Sequence, residues 1–220
     1  MWRIWADRRA PKGKGFSETC SFAIPMDTIV GITGASGVVY GVRLLKALPH
    51  NKTVICSDEA AGLLELELGI DKKTLYSYAD GHFENDDMFS PLASGSVGFD
   101  ALVIAPCSTS TMSKIACGIA DNLLTRVASV ALKERRRLVL LIRETPLSSI
   151  HLGNLERLAL AGATIMPASP AFYPEPKNVS DMVDFVVGRI LDQLGAEHHL
   201  YARWSGRKVT GSREPRRRRR

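Results

Sequence analysis

Apolar residues in this chain come in short unbroken runs, separated by longer segments with helical spacing. The runs 28–32, 53–56, 101–105, 138–142 and 163–166 predict strands. Pro106 and Pro167 stand where the third and fifth runs stop. Between the runs, Val42, Leu44, Leu45 and Leu48 open a helical pattern, and residues 59–68 carry apolar side chains at 60, 61, 63, 64, 66 and 68. Residues 121–134, 150–161 and 180–194 predict three further helices, while residues 69–98 read as irregular and polar. The strand runs are continuous rather than alternating, which predicts a parallel sheet covered by helices on both faces. No internal repeat is present.

Composition narrows this picture. With 220 residues, 45% of them hydrophobic and 24% charged, the chain suits one α/β domain with a sizeable core. Runs such as 138–142 fall far short of the roughly 20 apolar residues a membrane span needs. The four cysteines, Cys20, Cys56, Cys107 and Cys117, are scattered without metal-ligand spacing. This argues against zinc or a disulfide framework and fits a reducing cytoplasm.

The net charge of +6 would suggest a nucleic-acid partner, but it sits at the ends. Residues 1–25 carry +3 and residues 207–220 carry +7, which leaves the body, 26–206, at −4. An acidic body between basic ends is not a nucleic-acid groove, and the terminal arginine run has no interleaved aromatics. Both ends are expected to be disordered. Met26 immediately precedes the first strand, so the expected natural start is Met26, with residues 1–25 an overextended reading frame. A flexible basic arm is the competing reading.

Candidate chemistry gathers where strands are expected to end. Gly34, Ala35, Ser36 and Gly37 lie between the first strand and its helix, a place where small residues let the backbone approach an anion and helix amides supply donors. The spacing is not the full GxGxxG fingerprint, so an ordinary tight turn explains the glycines equally well. The other strand ends carry Ser57, the hydroxyl run Ser108, Thr109, Ser110 and Thr111, the pair Arg143 and Glu144, and the 167–173 loop. Ligands of such sheets bind beyond these carboxyl ends. The set suits a phosphorylated cofactor better than proteolytic or metal chemistry.

Seven segments occur together and in order: Ile32-Thr33-Gly34-Ala35-Ser36-Gly37, Ala93-Ser94-Gly95-Ser96, Pro106-Cys107-Ser108-Thr109, Ala131-Leu132-Lys133-Glu134-Arg135-Arg136, Arg143-Glu144-Thr145-Pro146, His151-Leu152 and Pro170-Ala171-Phe172-Tyr173. The ordered set resembles the UbiX-type flavin prenyltransferases over about residues 27–206. The resemblance implies a flavodoxin-like Rossmann fold with three layers and a parallel sheet. It also implies a metal-free transfer of a dimethylallyl group from dimethylallyl phosphate to N5 and C6 of reduced FMN. The prenylated FMN would serve a UbiD-type decarboxylase, and sites would be completed between subunits, commonly of a dodecamer.

Carried over residue by residue, the resemblance implies FMN contacts at Gly34, Ala35, Ser36, Ser57, Ser108, Thr109, Ser110, Thr111 and Arg143. The implied donor-phosphate positions are Lys133, Arg143, Glu144, Tyr173 and Arg189, with Glu144 a possible acid. Ser36 matches the position beside N5, and Glu67 the carboxylate that would relay the proton lost from C6. Residues 69–92 depart from the pattern, because 86–89 lack the aromatic residue that some relatives carry near the prenyl pocket. Phe89 is the candidate substitute.

Each of these residues also has a bland explanation. Glu67 would be an exposed carboxylate on a solvated helix face, Lys133 a cation offsetting a helix dipole, and Arg143 with Glu144 a local salt bridge. Tyr173 would pack its loop, Arg189 would be a surface charge, and Trp204, which the resemblance matches to an aromatic position near the active-site entrance, would equally well pack against a neighbour. His151 reads as a helix-start residue. Two other functions stay open: a flavin-dependent decarboxylase of the cysteine-decarboxylating fold, and a non-catalytic FMN carrier. Against the first, the chain lacks that group's histidine context and its Pro-x-Met-Asn stretch; against the second, a carrier needs no second phosphate site.

Overall fold

The computed structural model describes residues 26–49 and 51–206, so the expectations for both basic ends lie outside the described residues. The five predicted strands form, and a sixth joins them at one edge. The strands are β1 (Thr28–Ile32), β2 (Lys52–Cys56), β3 (Gly81–Glu84), β4 (Ala101–Cys107), β5 (Arg137–Ile142) and β6 (Thr164–Pro167). All pairings are parallel, in the order β3-β2-β1-β4-β5-β6. That is the flavodoxin-like order with an added edge strand. No described helix is long and apolar enough to cross a membrane.

Successive strand residues point to opposite faces, which splits the core in two. On one face Val30, Ile32, Val54, Val103, Val139 and Leu141 pack with α1 (Val39–Ala47), α2 (Asp58–Leu68) and α7 (Val179–Leu194). On the other, Ile29, Ile55, Leu102, Ile104, Leu138 and Leu140 pack with α4 (Thr109–Ala116), α5 (Leu123–Lys133) and α6 (Ser149–Leu160). Each such side chain contributes about 1.5–3 kcal/mol by leaving water. β1 and β4 are buried along their whole lengths, as their unbroken apolar runs require.

Three differences from the sequence reading have physical causes. Residues 69–98 hold the short helix α3 (Lys72–Tyr76) and edge strand β3, which are too brief and too polar to register as periodic. The hydroxyl run after β4 caps a separate helix: the Ser108 side chain accepts from the Thr111 amide and begins α4, well before the predicted 121–134 helix. Pro106 does not stop its strand. β4 continues to Cys107 through a register shift against β5 between Ile104 and Cys107, where a residue without an amide hydrogen is tolerated.

Candidate functional site

Because β1 lies between β2 and β4, the connections leave it in opposite directions, and a crevice opens over the carboxyl ends of these strands. The turn after β1 is fixed first. The buried Thr33 hydroxyl donates to the Pro106 carbonyl at 2.9 Å and accepts from the Ser108 amide at 2.8 Å, tying the glycine turn to the start of α4. The Ala35 amide turns back onto the Thr33 carbonyl at 2.7 Å. Gly37 then adopts φ +96°, which an L side chain rarely takes, and the chain enters α1.

The first amides of α1 already hold an anion. Val38, at the helix start, has no capping side chain, and no acid occupies the first turn. The Glu67 carboxylate of α2 supplies both functions, accepting from the Gly37 amide at 2.9 Å and from the Val38 amide at 3.2 Å. Glu67 shares a helical stripe with buried Ala60 and Leu64, while its neighbour Leu66 is 81% exposed. Glu67 itself is exposed, as the bland reading expects, but its carboxylate is fixed: two of the turn's amides serve Glu67 rather than an external phosphate.

Arg143, just beyond β5, donates through Nε to the Ser36 carbonyl at 2.9 Å and so lies across the same turn. It makes no ion pair with Glu144, whose carboxylate instead accepts from the following Thr145 amide at 2.9 Å. Ser57 is buried as the cap of α2, accepting from the Ala60 amide. Ser36 and Ser110 are exposed; Ser108, Thr109 and Thr111 are half-buried. Glu67 thus reaches the glycine turn from α2, while Gly34 to Gly37, Ser57, Ser108 to Thr111, Arg143 and Glu144 follow the carboxyl ends of β1, β2, β4 and β5 along one edge of the sheet. Its hydroxyls, helix-start amides and one guanidinium suit a flavin's ribityl phosphate.

Lys133, Tyr173 and Arg189 are not brought there. Lys133 ends α5, before β5 begins, and β5 separates it from Arg143 by about 20 Å of strand. Its ammonium pairs with the Glu134 carboxylate beside Gly95. The same loop is held by Arg126, whose Nε donates to the Ala93 carbonyl, and by Arg136, which donates to the Gly95 and Val97 carbonyls. Tyr173 packs edge-on against Phe185 and Trp204, and Arg189 lies about 15 Å along α7, paired with Asp192 at 2.8 Å. His151 completes a capping box with Ser148 at the start of α6, the structural role expected of it.

Sequence reasoning passed over two residues that organise this geometry, Thr33 and Asp192. Thr33 gives no local signal, because its partners are 73 and 75 positions away. Asp192 was visible only as an acid three residues after Arg189 on one helix.

The Flavoprotein family model matches residues 24–191. A flavin prenyltransferase UbiX of Methanocaldococcus jannaschii is 52% identical over 181 residues, which is 81% of this chain and 98% of that protein. AnUbiX (PadA1), solved with FMN and dimethylallyl pyrophosphate, superposes with a TM-score of 0.81 at 38% identity, covering 82% of this chain and 98% of its own. A dodecameric FMN-dependent UbiX-like decarboxylase from Escherichia coli O157:H7 gives 0.80 at 41% identity, covering 82% and 100%.

Proposed function

This chain belongs to the UbiX flavin prenyltransferases of the Flavoprotein family, and from that premise we propose that it joins a dimethylallyl group from dimethylallyl phosphate to N5 and C6 of reduced FMN. The observation that carries the reading is the crevice in which Glu67, Ser36 and Arg143 meet around one glycine turn. Reduced FMN supplies the nucleophilic N5 and C6. Gly34, Ala35, Ser36, Ser57, Ser108, Thr109, Ser110, Thr111 and Arg143 would hold it. No metal is required in this reading.

Departure of the allylic phosphate develops negative charge on its oxygens. Lys133, Arg143, Tyr173 and Arg189 are the cation and hydroxyl donors for that charge, and Glu144 the proton source. Ser36 orients the reacting edge, and Glu67, fixed by two amides, accepts the proton released when aromaticity is restored at C6. Lys133, the adjacent residues Arg143 and Glu144, and the two residues Tyr173 and Arg189 lie on separate parts of one chain, so in this reading a complete site draws them from neighbouring copies. A dodecamer like that of the Escherichia coli relative fits this requirement. The product would pass to a UbiD-type decarboxylase. Free thiols at Cys56, Cys107 and Cys117 support a reducing compartment, the cytoplasm.

The test is anaerobic incubation of the protein with reduced FMN and dimethylallyl phosphate, followed by mass spectrometry of the extracted flavin. A protein-dependent gain of one prenyl unit supports the reading. Unmodified FMN from an assembled, flavin-binding protein overturns it.

A further inference from the structure

Asp192 lies in the last turn of α7, where the helix dipole disfavours a carboxylate. Its side chain is only 13% exposed, yet it accepts from four groups. Arg189 Nη1 at 2.8 Å and the Tyr201 hydroxyl at 2.6 Å meet Oδ2. His198 Nε2 at 3.0 Å and Arg203 Nη2 at 2.7 Å meet Oδ1. His198 Nδ1 accepts from the Leu200 amide, so Nε2 carries the hydrogen that reaches Asp192, and neutral imidazole satisfies both bonds. The two oxygens thus have all their acceptor positions filled.

Three of the four donors belong to the segment that follows α7, so Asp192 clasps that segment back onto its helix. Helix packing is shaped for the clasp. A Cβ at Gly188 would stand 2.6 Å from the Tyr201 ring and 2.8 Å from the His198 ring, and would push the segment away. Tyr201 rests on Phe185 with ring centroids 4.8 Å apart, and Trp204 meets Tyr173 edge-on at 5.4 Å. One carboxylate therefore anchors Arg189 directly and, through Tyr201 and Arg203, seats the segment whose Trp204 flanks Tyr173.

We propose that Asp192 is a positioning residue for recognition of the allylic phosphate: it fixes the Arg189 guanidinium through Nη1 and clasps the 196–206 segment beside Tyr173. The inference rests on the reading that Arg189 and Tyr173 bind the donor phosphate. No described residue accepts from Arg189 Nε or Nη2, so the clasp leaves those donors for a phosphate oxygen while it sets the plane of the group. Asp192 itself touches no substrate.

The experiment is a double-mutant cycle of Asp192→Asn and Arg189→Ala in the assembled, flavin-loaded protein, with KM for dimethylallyl monophosphate and kcat read from prenylated flavin. Asp192→Asn is expected to raise KM by about tenfold or more, with a smaller change in kcat, because it loosens a charge-assisted contact. Added to Arg189→Ala it should raise KM by much less than it does alone, since the part that acts through Arg189 is already lost. Tyr201→Phe, which removes only the hydroxyl shared by Arg189 and Asp192, should move KM in the same direction while the carboxylate stays in place. With Trp2 and Trp5 changed to Phe, the fluorescence anisotropy of the exposed Trp204 should fall in Asp192→Asn as the segment loosens. If Arg189→Ala raises KM while Asp192→Asn and Tyr201→Phe leave it unchanged, or if the two losses simply add, positioning by Asp192 is overturned. If Arg189→Ala leaves KM unchanged, the donor-site reading fails, and the inference fails with it.

Discussion

Glu67 and Gly37 stand thirty positions apart, and the carboxylate of one accepts the amide hydrogen of the other at 2.9 Å. The contact joins the end of α2 to the start of α1. It makes the proposed proton acceptor also the cap of the glycine turn, so catalysis and turn geometry share one side chain.

Two substitutions separate these roles. Glu67→Gln keeps a carbonyl oxygen for the Gly37 amide, so flavin affinity and thermal stability should stay near those of the parent while prenylated product falls steeply. Glu67→Ala removes the cap as well and should lower stability by about 1 kcal/mol, weakening flavin binding too. Flavin titration, thermal unfolding and product analysis on both variants check this.

Glu144 has no cationic partner among the described residues and accepts only from the Thr145 amide. Glu144→Gln should therefore leave FMN binding intact and slow alkylation by about a hundredfold or more, the size of a lost general acid. Equal product formation by variant and parent in single-turnover assays would remove Glu144 from the mechanism.

Thr33 is 2% exposed, and its hydroxyl serves the Pro106 carbonyl and the Ser108 amide at once. Thr33→Val keeps the shape and removes the bridge, at a cost of about 1–3 kcal/mol for the unpaired groups. Because the bridge joins the glycine turn to α4, FMN affinity should fall together with stability in denaturant titrations.

The donors around Asp192 hold its carboxyl well below the usual carboxylate range, against the opposing effect of its burial. A lowered folded value stabilises the protein fully above the unfolded pKa, about 3.9, and the contribution is lost as pH falls through the folded value. The stability gap between parent and Asp192→Asn should therefore be constant from pH 7 to about 5 and shrink below about 4. Urea unfolding across that range measures it.

Burial pushes the Cys56 thiol up to about 12 and raises Cys107 as well. Neither should react with iodoacetamide at pH 8 in the folded protein, whereas exposed Cys117 should. Peptide mapping before and after denaturation distinguishes the three.

Local pattern was enough for the long elements. The unbroken apolar runs placed β1, β2, β4, β5 and β6 close to their observed positions, because a doubly covered parallel strand has no polar face to interrupt the run. It missed α3 and β3, where five and four mostly polar residues draw their stability from the sheet edge rather than from their own periodicity. It also let Pro106 end a strand that a register shift carries on.

The sequence by itself determined the parallel α/β architecture, the division of the core between two sheet faces, and the family motifs at the carboxyl ends of the strands. Those properties depend on residue type and short-range spacing. Tertiary structure alone decided that Glu67 caps the turn it serves, that Arg143 reaches back 107 positions to the Ser36 carbonyl, and that Asp192 gathers a later segment onto α7. Hydrogen bonds between distant positions form only after the sheet has brought its edges together, and no local periodicity encodes which partner will be waiting there.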